Sequence, residues 1–300
     1  MLGSFCIGKY KITGAVLAPM AGYTDIAFRT LCVRYGAGLT VTEMVSVRGL
    51  VHDCKKTELL MRTSPSETPS CVQLFGSVPD DFARAAELVK SDIIDVNMCC
   101  PMPKITKNGD GAALLNDPEK AGRIVRALVN ATDKPITVKT RLGYRLGQDG
   151  AAELIESVTK AGAAAVTVHG RYAEQRYAGE CDMQKLKALA SAARIPFIAN
   201  GGCGAYAEKP FAACMIGRAA IANPAVFKGE KASPSVVARE HLELLSKYFD
   251  ERYAVNQMRK FCVHYFAGVN GGKALRAAVN VATCTDDVKR AIDIFDRSVV

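Results

Sequence analysis

Short apolar runs recur along the first 216 residues, and most are followed by a turn and a helical pattern. They lie at Ala15–Met20, Leu39–Met44, Cys71–Phe75, Ile93–Met98, Ile136–Thr140, Ala165–His169, Phe197–Ala199 and Ala213–Ile216. Apolar residues are continuous within each run rather than alternating, which is typical of strands covered on both faces. The runs therefore predict eight strands of one buried sheet.

Amphipathic helices are predicted between several of these strands. They cover Asp80–Val89, Glu119–Asn130, Ala151–Ala161 and Met183–Ala193. The second has a helix-start signal, because Asp117 can cap it and Pro118 suits the first helical position. Alternation of strand and helix predicts a parallel sheet, and eight repeats favour a closed barrel over an open, doubly wound sheet.

Two connections depart from a regular barrel pattern. The segment Val45–Ser70 is rich in loop-forming residues. The connection between the seventh and eighth strands, around Gly201–Phe211, is short and contains Gly204 and Pro210. Any helix in this connection is therefore expected to be about one turn long or absent.

The pattern changes after Pro224. Helical periodicity without intervening strands runs through Ser235–Asp250, Asn256–Gly268, Lys273–Ala282 and Asp286–Arg297, and Gly229–Pro234 has the composition of a linker. We therefore predict an α/β fold, a (β/α)₈ TIM barrel over residues 1–232, followed by a small all-α helical domain over residues 233–300.

Composition narrows the class of protein. Hydrophobic residues make up 49% and charged residues 23% of the 300 residues, which excludes a disordered, collagen-like or coiled-coil chain. No apolar stretch approaches the roughly 18 residues of a membrane span, and Lys9 and Lys11 interrupt the first segment, which makes a poor signal peptide. Eleven cysteines in a chain of this length are typical of reduced thiols. We expect a cytoplasmic protein without membrane contact.

The charge balance points to anionic partners. The chain has 39 basic and 30 acidic residues, a net charge of +9. Such an excess favours nucleic acid or phosphorylated ligands, although charge that serves only solubility explains it equally well. Because no block of five like charges exists, a basic surface must be assembled by folding.

Glycines and an arginine follow the last two predicted strands, at the barrel end where active sites collect. Gly201-Gly202 and Gly217-Arg218 suit a phosphate site, because glycine lets backbone N–H groups approach an anion and arginine adds a charge. The alternative is a pair of tight turns. No G-x-G-x-x-G motif follows a strand, and no cysteine or histidine spacing fits zinc, so neither a built-in dinucleotide fold nor a metal site is expected.

Two strand ends carry basic side chains. Lys139 ends a buried strand and must meet a negative group, because an unpaired buried ammonium is costly. A structural ion pair with Glu43 is one solution. The other uses Lys139 together with His169 at the electron-rich edge of a flavin, where positive charge stabilises the reduced ring.

Cys100 is the candidate reactive group. It lies on the loop after the fourth strand, next to Pro101. A thiol that titrates near neutrality beside lysine or arginine can give or take one proton. Most cysteines are inert core residues, but the position of Cys100 at the functional end of the barrel favours a catalytic role. The adjacent Cys99 is the alternative thiol.

Taken in order, these segments resemble the tRNA-dihydrouridine synthase family. The resemblance runs from Ala18 to about Pro224 and continues more weakly through the C-terminal helices. The matching segments are PMAGYTD, TEMV, VQLFG, the Asn97-to-Pro101 motif, GAALL, VKTRLG, VHGR, NGG and MIGRA. Each segment alone is weak evidence for this family, but their order over more than two hundred residues is specific for it.

The resemblance implies an FMN-bound barrel with a helical tRNA-binding domain, which reduces the C5–C6 bond of one uridine at the expense of NADPH. A monomer is expected. The implied catalytic residue is Cys100, the general acid that protonates C5 while hydride reaches C6. The implied FMN-binding residues are Pro19, Met20, Ala21, Gln73, Lys139, His169, Asn200, Gly201, Gly202, Gly217 and Arg218. Asn97 and Arg171 would orient the base, and Arg259 and Lys260 would contact tRNA.

The chain also departs from the family pattern. Cys99 stands where the family usually has glycine, Gly202 replaces its aspartate, and in the helical segment Phe261 and His264 replace histidine and tryptophan.

Two other functions remain open: a flavoenzyme of free pyrimidines resembling dihydroorotate dehydrogenase, and a tRNA-binding protein that remodels RNA without turnover. The basic C-terminal helices favour tRNA over a small pyrimidine.

Overall fold

Eight parallel strands close into a barrel in the computed structural model, which describes residues 3–52 and 54–299. The last strand pairs with the first barrel strand, so the sheet has no edge. A hairpin of β1 (Ser4–Ile7) and β2 (Tyr10–Thr13) precedes the barrel strands. These are β3 (Val16–Leu17), β4 (Leu39–Ser46), β5 (Cys71–Phe75), β6 (Ile93–Asn97), β7 (Ile136–Arg141), β8 (Ala165–His169), β9 (Phe197–Asn200) and β10 (Ala213–Ile216). The predicted TIM barrel is confirmed.

The first barrel strand is much shorter than predicted. Only Val16 and Leu17 pair as β3, where Ala15–Met20 was expected. The chain leaves the sheet because Pro19 has no N–H to donate to a neighbouring strand, and the Met20 carbonyl then accepts turn hydrogen bonds from the N–H groups of Tyr23 and Thr24. The residues after β3 therefore form a loop at the carboxyl end of the barrel.

The N-terminal hairpin was not predicted. Ile7 and Ile12 are fully buried, and they pack with Val16, Leu39 and Ile93, which stand at the starts of barrel strands. Because strand starts lie at one end of a parallel barrel, the hairpin covers the amino-terminal end of the barrel interior. Any ligand site must then use the other end.

Helices surround the barrel and follow it. They are α1 (Ile26–Arg34), α2 (Val47–Val51), α3 (Lys55–Leu60), α4 (Pro79–Leu88), α5 (Pro103–Thr106), α6 (Pro118–Ala131), α7 (Ala151–Ala161), α8 (Met183–Ala192), α9 (Arg218–Ala222), α10 (Pro234–Tyr248), α11 (Glu251–Tyr265), α12 (Gly272–Val281) and α13 (Thr285–Val299). Single 3₁₀ helices cover Gly111–Asn116 and Pro224–Lys228. Within residues 3–52 and 54–299, none of these helices has the length and apolar character needed to cross a bilayer.

Local signals explain where several helices begin. Asp117 accepts a hydrogen bond from the Lys120 N–H at 2.9 Å and Pro118 opens α6, as the sequence predicts. The Val45–Ser70 segment holds two short helices, α2 and α3, rather than loop alone. The segment between β9 and β10 contains no helix, which matches the expectation for that connection.

The four C-terminal helices share a core with the barrel. Phe28 and Leu31 of α1 are fully buried in the same apolar cluster as Leu245 of α10 and Phe261 of α11. The rings of Phe28 and Phe261 lie 4.9 Å apart. The first C-terminal helix starts at Pro234, close to the predicted boundary at residue 232, but its apolar face is covered by α1.

A buried ion pair ties α1 to the chain before β5. Arg29 is 1% exposed and Glu67 is 4% exposed, and Arg29 Nε donates to Glu67 Oε2 at 2.7 Å. The Thr40 hydroxyl and the Ser64 N–H also donate to the Glu67 carboxylate, each at 2.7 Å. Such a pair is held by geometry and complete hydrogen bonding rather than by charge alone.

Candidate active site at the carboxyl end of the barrel

A cavity of about 530 Å³ opens at the carboxyl ends of the barrel strands. Small-molecule and cofactor sites are commonly of this size, about 300–1,000 Å³. The barrel residues singled out from the sequence all line it: Pro19, Met20, Ala21, Gln73, Asn97, Cys100, Lys139, His169, Arg171, Asn200, Gly201, Gly202, Gly217 and Arg218. Folding of the barrel therefore brings together residues that lie up to 199 positions apart in the sequence.

The cavity is cationic and partly apolar. Lys139, Arg141, Arg171 and Arg218 line it, and no aspartate or glutamate does so in the part of the chain that the structure describes. Burial and these neighbouring cations lower the pKa of His169 to about 2, so its imidazole is neutral at physiological pH. Methionines at positions 20, 44 and 215 add apolar surface. This lining suits a ligand that joins an anionic group to a flat apolar body.

Lys139 lies in the cavity wall and is only 5% exposed. Its Nζ donates to Asn200 Oδ1 at 3.0 Å and to Cys99 Sγ at 3.2 Å. Glu43, the alternative partner weighed from the sequence, instead accepts a hydrogen bond from the Gly22 N–H at 2.6 Å. The ammonium therefore stays within the cavity lining, where its charge is available to an anionic ligand.

The two neighbouring thiols have opposite electrostatic surroundings. Burial raises the pKa of Cys100. Burial also acts to raise the pKa of Cys99, but the charges of Lys139 and Arg141 outweigh it, and the net effect is a lowered pKa. The expectation that Cys100 titrates near neutrality is therefore wrong, because Lys139 contacts the other thiol. A raised pKa keeps the Cys100 thiol protonated, which is the form that can donate a proton.

Asn97 holds the loop that carries these thiols. Its side-chain oxygen accepts hydrogen bonds from the N–H groups of Cys99 at 3.1 Å and Cys100 at 2.9 Å. Its amide nitrogen donates to Gln73 Oε1 at 2.8 Å. Gln73 in turn donates to Asp95 at 2.7 Å. Sequence reasoning missed Asp95, although an aspartate inside the apolar run Ile93–Met98 was a signal.

Tyr177 was also missed. It is 58% exposed and lines the cavity. Two guanidinium groups lie near its ring, with the Cζ atoms of Arg218 and Arg141 at 5.4 and 5.9 Å from the ring centroid. Because Tyr177 sits in a loop between β8 and α8, no strand or helix pattern could have indicated it.

Arg171, on the same loop, donates to the carbonyl of Gly179 at 2.8 Å and to Cys181 Sγ at 2.9 Å.

Gly201 is required at its position by space as well as by backbone angle. Its φ is +90°, and a Cβ there would lie 2.5 Å from Cys181 Sγ and 2.7 Å from His169 Cδ2. At Gly217 a Cβ would make only ordinary contacts, 3.5 Å from Met20 Sδ. A tight turn therefore requires glycine at position 201, and beside it Gly217 and the exposed Arg218 leave open surface where an anion can bind.

The chain is similar to known proteins over nearly its whole length. The family model described as dihydrouridine synthase matches residues 16–298. A probable tRNA-dihydrouridine synthase of Rickettsia conorii is 33% identical, with 98% of this chain and 97% of that protein covered. The tRNA-dihydrouridine synthase B of Pasteurella multocida is 32% identical over 96% of this chain and 95% of its own length.

The chain belongs to the dihydrouridine synthase family. The resemblance inferred from the sequence motifs is thereby confirmed. Among solved structures, a variant of NCR from Zymomonas mobilis is similar in fold, with a TM-score of 0.55 and 14% identity over 82% of this chain and 94% of that one. Within residues 3–52 and 54–299, no group of three or more histidine, cysteine, aspartate or glutamate side chains could hold a metal ion.

The departures from the dihydrouridine synthase pattern have structural consequences. Phe261 is fully buried, and its ring lies 4.4 Å from that of His241, so it serves the core shared with α1. His264 Nε2 lies 3.4 Å from the Tyr23 hydroxyl. Both residues therefore pack between α11 and the barrel.

Arg259 and Lys260 lie on α11, outside the cavity. Lys260 Nζ donates to the carbonyl oxygen of Gly22 and stands 4.5 Å from the centroid of the Tyr23 ring. Arg259 donates to the carbonyl of Ala282 at 2.7 Å. In this dihydrouridine synthase, Lys260 thus fastens the C-terminal helices to the loop after β3, whose residues Pro19–Ala21 line the cavity.

Proposed function

We propose that this protein is an FMN-dependent tRNA-dihydrouridine synthase that reduces the C5–C6 bond of one uridine in tRNA with electrons from NADPH. The observation that carries the proposal is the arrangement of the cavity. A half-buried thiol with a raised pKa, Cys100, faces a space lined by lysine and arginine without acidic residues. Membership of the family supports the same reaction.

The residues of the cavity fit FMN. Its phosphate would bind at Gly201, Gly202, Gly217 and Arg218, next to Asn200. The ring would lie against the backbone of Pro19, Met20 and Ala21. Gln73, Lys139 and His169 would contact its polar edge. When bound, FMN carries two electrons from NADPH to the uracil ring as a hydride for C6.

Cys100 is proposed as the general acid. Addition of hydride at C6 places negative charge on the uracil C4 oxygen, and the basic groups of the cavity, Arg171 among them, stabilise that charge. The Cys100 thiol then donates its proton to C5, and the resulting thiolate regains a proton from water. One hydride and one proton together saturate the C5–C6 bond.

The tRNA substrate explains the basic excess of the chain. A uracil stacked within folded RNA is out of reach, so the target base must leave its stack to enter the cavity. Residues 233–300, the helical segment, are proposed to hold the surrounding RNA as the second functional part beside the barrel of residues 1–232. Free thiols such as Cys32 and Cys262 and a tRNA substrate are consistent with a cytoplasmic monomer.

The proposal is tested by mapping dihydrouridine in tRNA from cells with and without the gene. We expect one dihydrouridine position to disappear on deletion and to return with the intact gene. The purified protein is expected to be yellow with the absorbance of FMN. Reoxidation of its reduced flavin by orotate, the unsaturated free pyrimidine, but not by tRNA would support a free-pyrimidine oxidoreductase instead.

Removal of two basic side chains from α11 is expected to weaken tRNA binding. The Arg259→Ala, Lys260→Ala double variant should bind tRNA about tenfold less tightly, and the slope of log K against log salt should fall by about one to two. The matched control is Lys9→Ala, Lys11→Ala, which removes the same charge from the exposed hairpin at the opposite end of the barrel. Filter binding across a salt series measures both. Equal affinities for the two double variants would contradict a tRNA contact at α11.

A further inference from the structure

A buried carboxylate in β6 takes no part in the proposed reaction. Asp95 is 3% exposed and lies two residues before Asn97 on the same strand. Its Oδ1 accepts a hydrogen bond from the Thr137 hydroxyl at 2.6 Å, and its Oδ2 accepts one from Gln73 Nε2 at 2.7 Å. Burying such a group is costly unless it is well partnered, so its place beside the cavity requires an explanation.

The hydrogen bonds of Asp95 fix the orientation of two neighbouring side-chain amides, those of Gln73 and Asn97. A carboxylate oxygen only accepts, so the –NH₂ end of the Gln73 amide must face Asp95. The oxygen end of Gln73 then faces Asn97, and it accepts from Asn97 Nδ2 at 2.8 Å. This fixes the orientation of Asn97 as well, with its oxygen toward the backbone N–H groups of Cys99 and Cys100.

We infer that Asp95 is a positioning residue, which acts through Gln73 and Asn97 to hold the backbone of the loop that carries Cys100. The catalytic meaning of that loop rests on the proposed function. The path runs from Asp95 through Gln73 to Asn97, and each side chain is joined to the next by a direct hydrogen bond. Within this path Asn97 uses its side-chain oxygen and one N–H of its –NH₂ group, so holding the loop is a role in addition to orienting the base.

Loss of the acceptor at position 95 frees the amide of Gln73 to turn over. If it turns, its –NH₂ group faces that of Asn97, and two donors cannot form a hydrogen bond. Asn97 must then either lose this contact or turn as well, which would direct its own –NH₂ group at the N–H groups of Cys99 and Cys100. Either outcome releases the backbone of the loop.

The test compares Asp95→Leu with Asp95→Asn. Leucine keeps the branching at Cγ, although it is larger, and has no acceptor. Asparagine keeps an oxygen for Gln73 and can direct its –NH₂ group at the Thr137 hydroxyl, which is able to accept. We expect amide hydrogen exchange at Cys99 and Cys100 to become about tenfold faster in Asp95→Leu, the factor that corresponds to about 1.4 kcal/mol of lost hydrogen bonding. Asp95→Asn should remain within about twofold of the original protein.

Two further variants separate positioning from general loosening of the barrel. Thr137→Val removes the other hydrogen bond to Asp95 and leaves the path to Asn97 intact, so exchange at Cys100 should change less than about twofold. Gln73→Met breaks the path at its middle and should reproduce the effect of Asp95→Leu, also where Asp95→Leu does not fold. Exchange is measured on the full-length protein as purified, by mass spectrometry at single-residue resolution.

The outcomes are distinct. Unchanged exchange at Cys100 in both Asp95→Leu and Gln73→Met, or an equal effect of Thr137→Val, would overturn the inference. Because no tRNA or turnover enters the measurement, a failure here is separate from a failure of the proposed reaction. If the protein does not reduce uridine, the exchange result still decides whether Asp95 holds the loop.

Discussion

Replacing Cys100 with alanine is expected to lower the rate of tRNA reduction by about 10²–10⁴-fold, the usual contribution of a general acid. The flavin should remain bound, because the cavity residues proposed to hold it are untouched. Cys99→Ala is the matched control, since it removes the same atom one residue away. It should leave most of the activity, because Cys99 is only 7% exposed and its thiol accepts a hydrogen bond from Lys139 Nζ. Its lowered pKa also leaves a smaller fraction of Cys99 than of Cys100 protonated.

The measurement is a single-turnover experiment in which tRNA reoxidises reduced enzyme. The flavin absorbance of both variants is recorded first, so that a loss of cofactor is not mistaken for a loss of the acid. The opposite result, an inactive Cys99→Ala and an active Cys100→Ala, would assign the acid to the neighbouring thiol.

The protonation state of Cys100 also gives a pH profile. Burial raises the pKa of its thiol above the ordinary value of 9.0, and the acid works only in its protonated form. Its contribution to the rate should therefore be constant through neutral pH and fall as the pH rises above 9.0. A decline that already begins below pH 9.0 would instead indicate a thiol of lowered pKa, which is the direction of the shift at Cys99.

Replacing Glu67 with alanine is expected to destabilise the fold by about 3–5 kcal/mol, because it leaves the buried charge of Arg29 without a counter-ion. The Thr40 hydroxyl and the Ser64 N–H lose their acceptor in the same variant. Urea denaturation followed by circular dichroism measures the change in unfolding free energy.

The matched control for this variant is Glu156→Ala. Glu156 forms an ion pair with Lys160 on the exposed face of α7, and exposed pairs contribute little because water screens them. The midpoint of its unfolding should stay close to that of the original protein. Equal changes in unfolding free energy for the two variants would show that the buried Arg29–Glu67 pair stabilises the fold no more than an exposed pair does.

The sequence could predict the barrel because its strands are encoded by continuous apolar runs, and it could predict the cavity lining because strand ends meet at one edge. The hydrophobic pattern shows which positions are buried, and the parallel topology places the carboxyl ends of the strands at one end of the barrel. The same reasoning failed for β3, where the run from Ala15 to Met20 is apolar but Pro19 ends the pairing.

The sequence could not show which side chains contact one another. Lys139 could have met Glu43, Cys99 or a ligand, and only the packed structure shows that it lies between Asn200 and Cys99. The pKa values of the two thiols depend on that same detail. Tyr177 escaped notice for a related reason, since loop residues carry no periodic signal.

The core that α1 shares with the C-terminal helices limits how this enzyme can be engineered. Phe28 and Leu31 lie on the outside of the barrel and are buried in one apolar cluster with Leu245 and Phe261 of the C-terminal helices. A barrel cut free at residue 232 would expose that surface and stick to other molecules. A chimaera that borrows the C-terminal helices of a relative must therefore transplant α1 along with them.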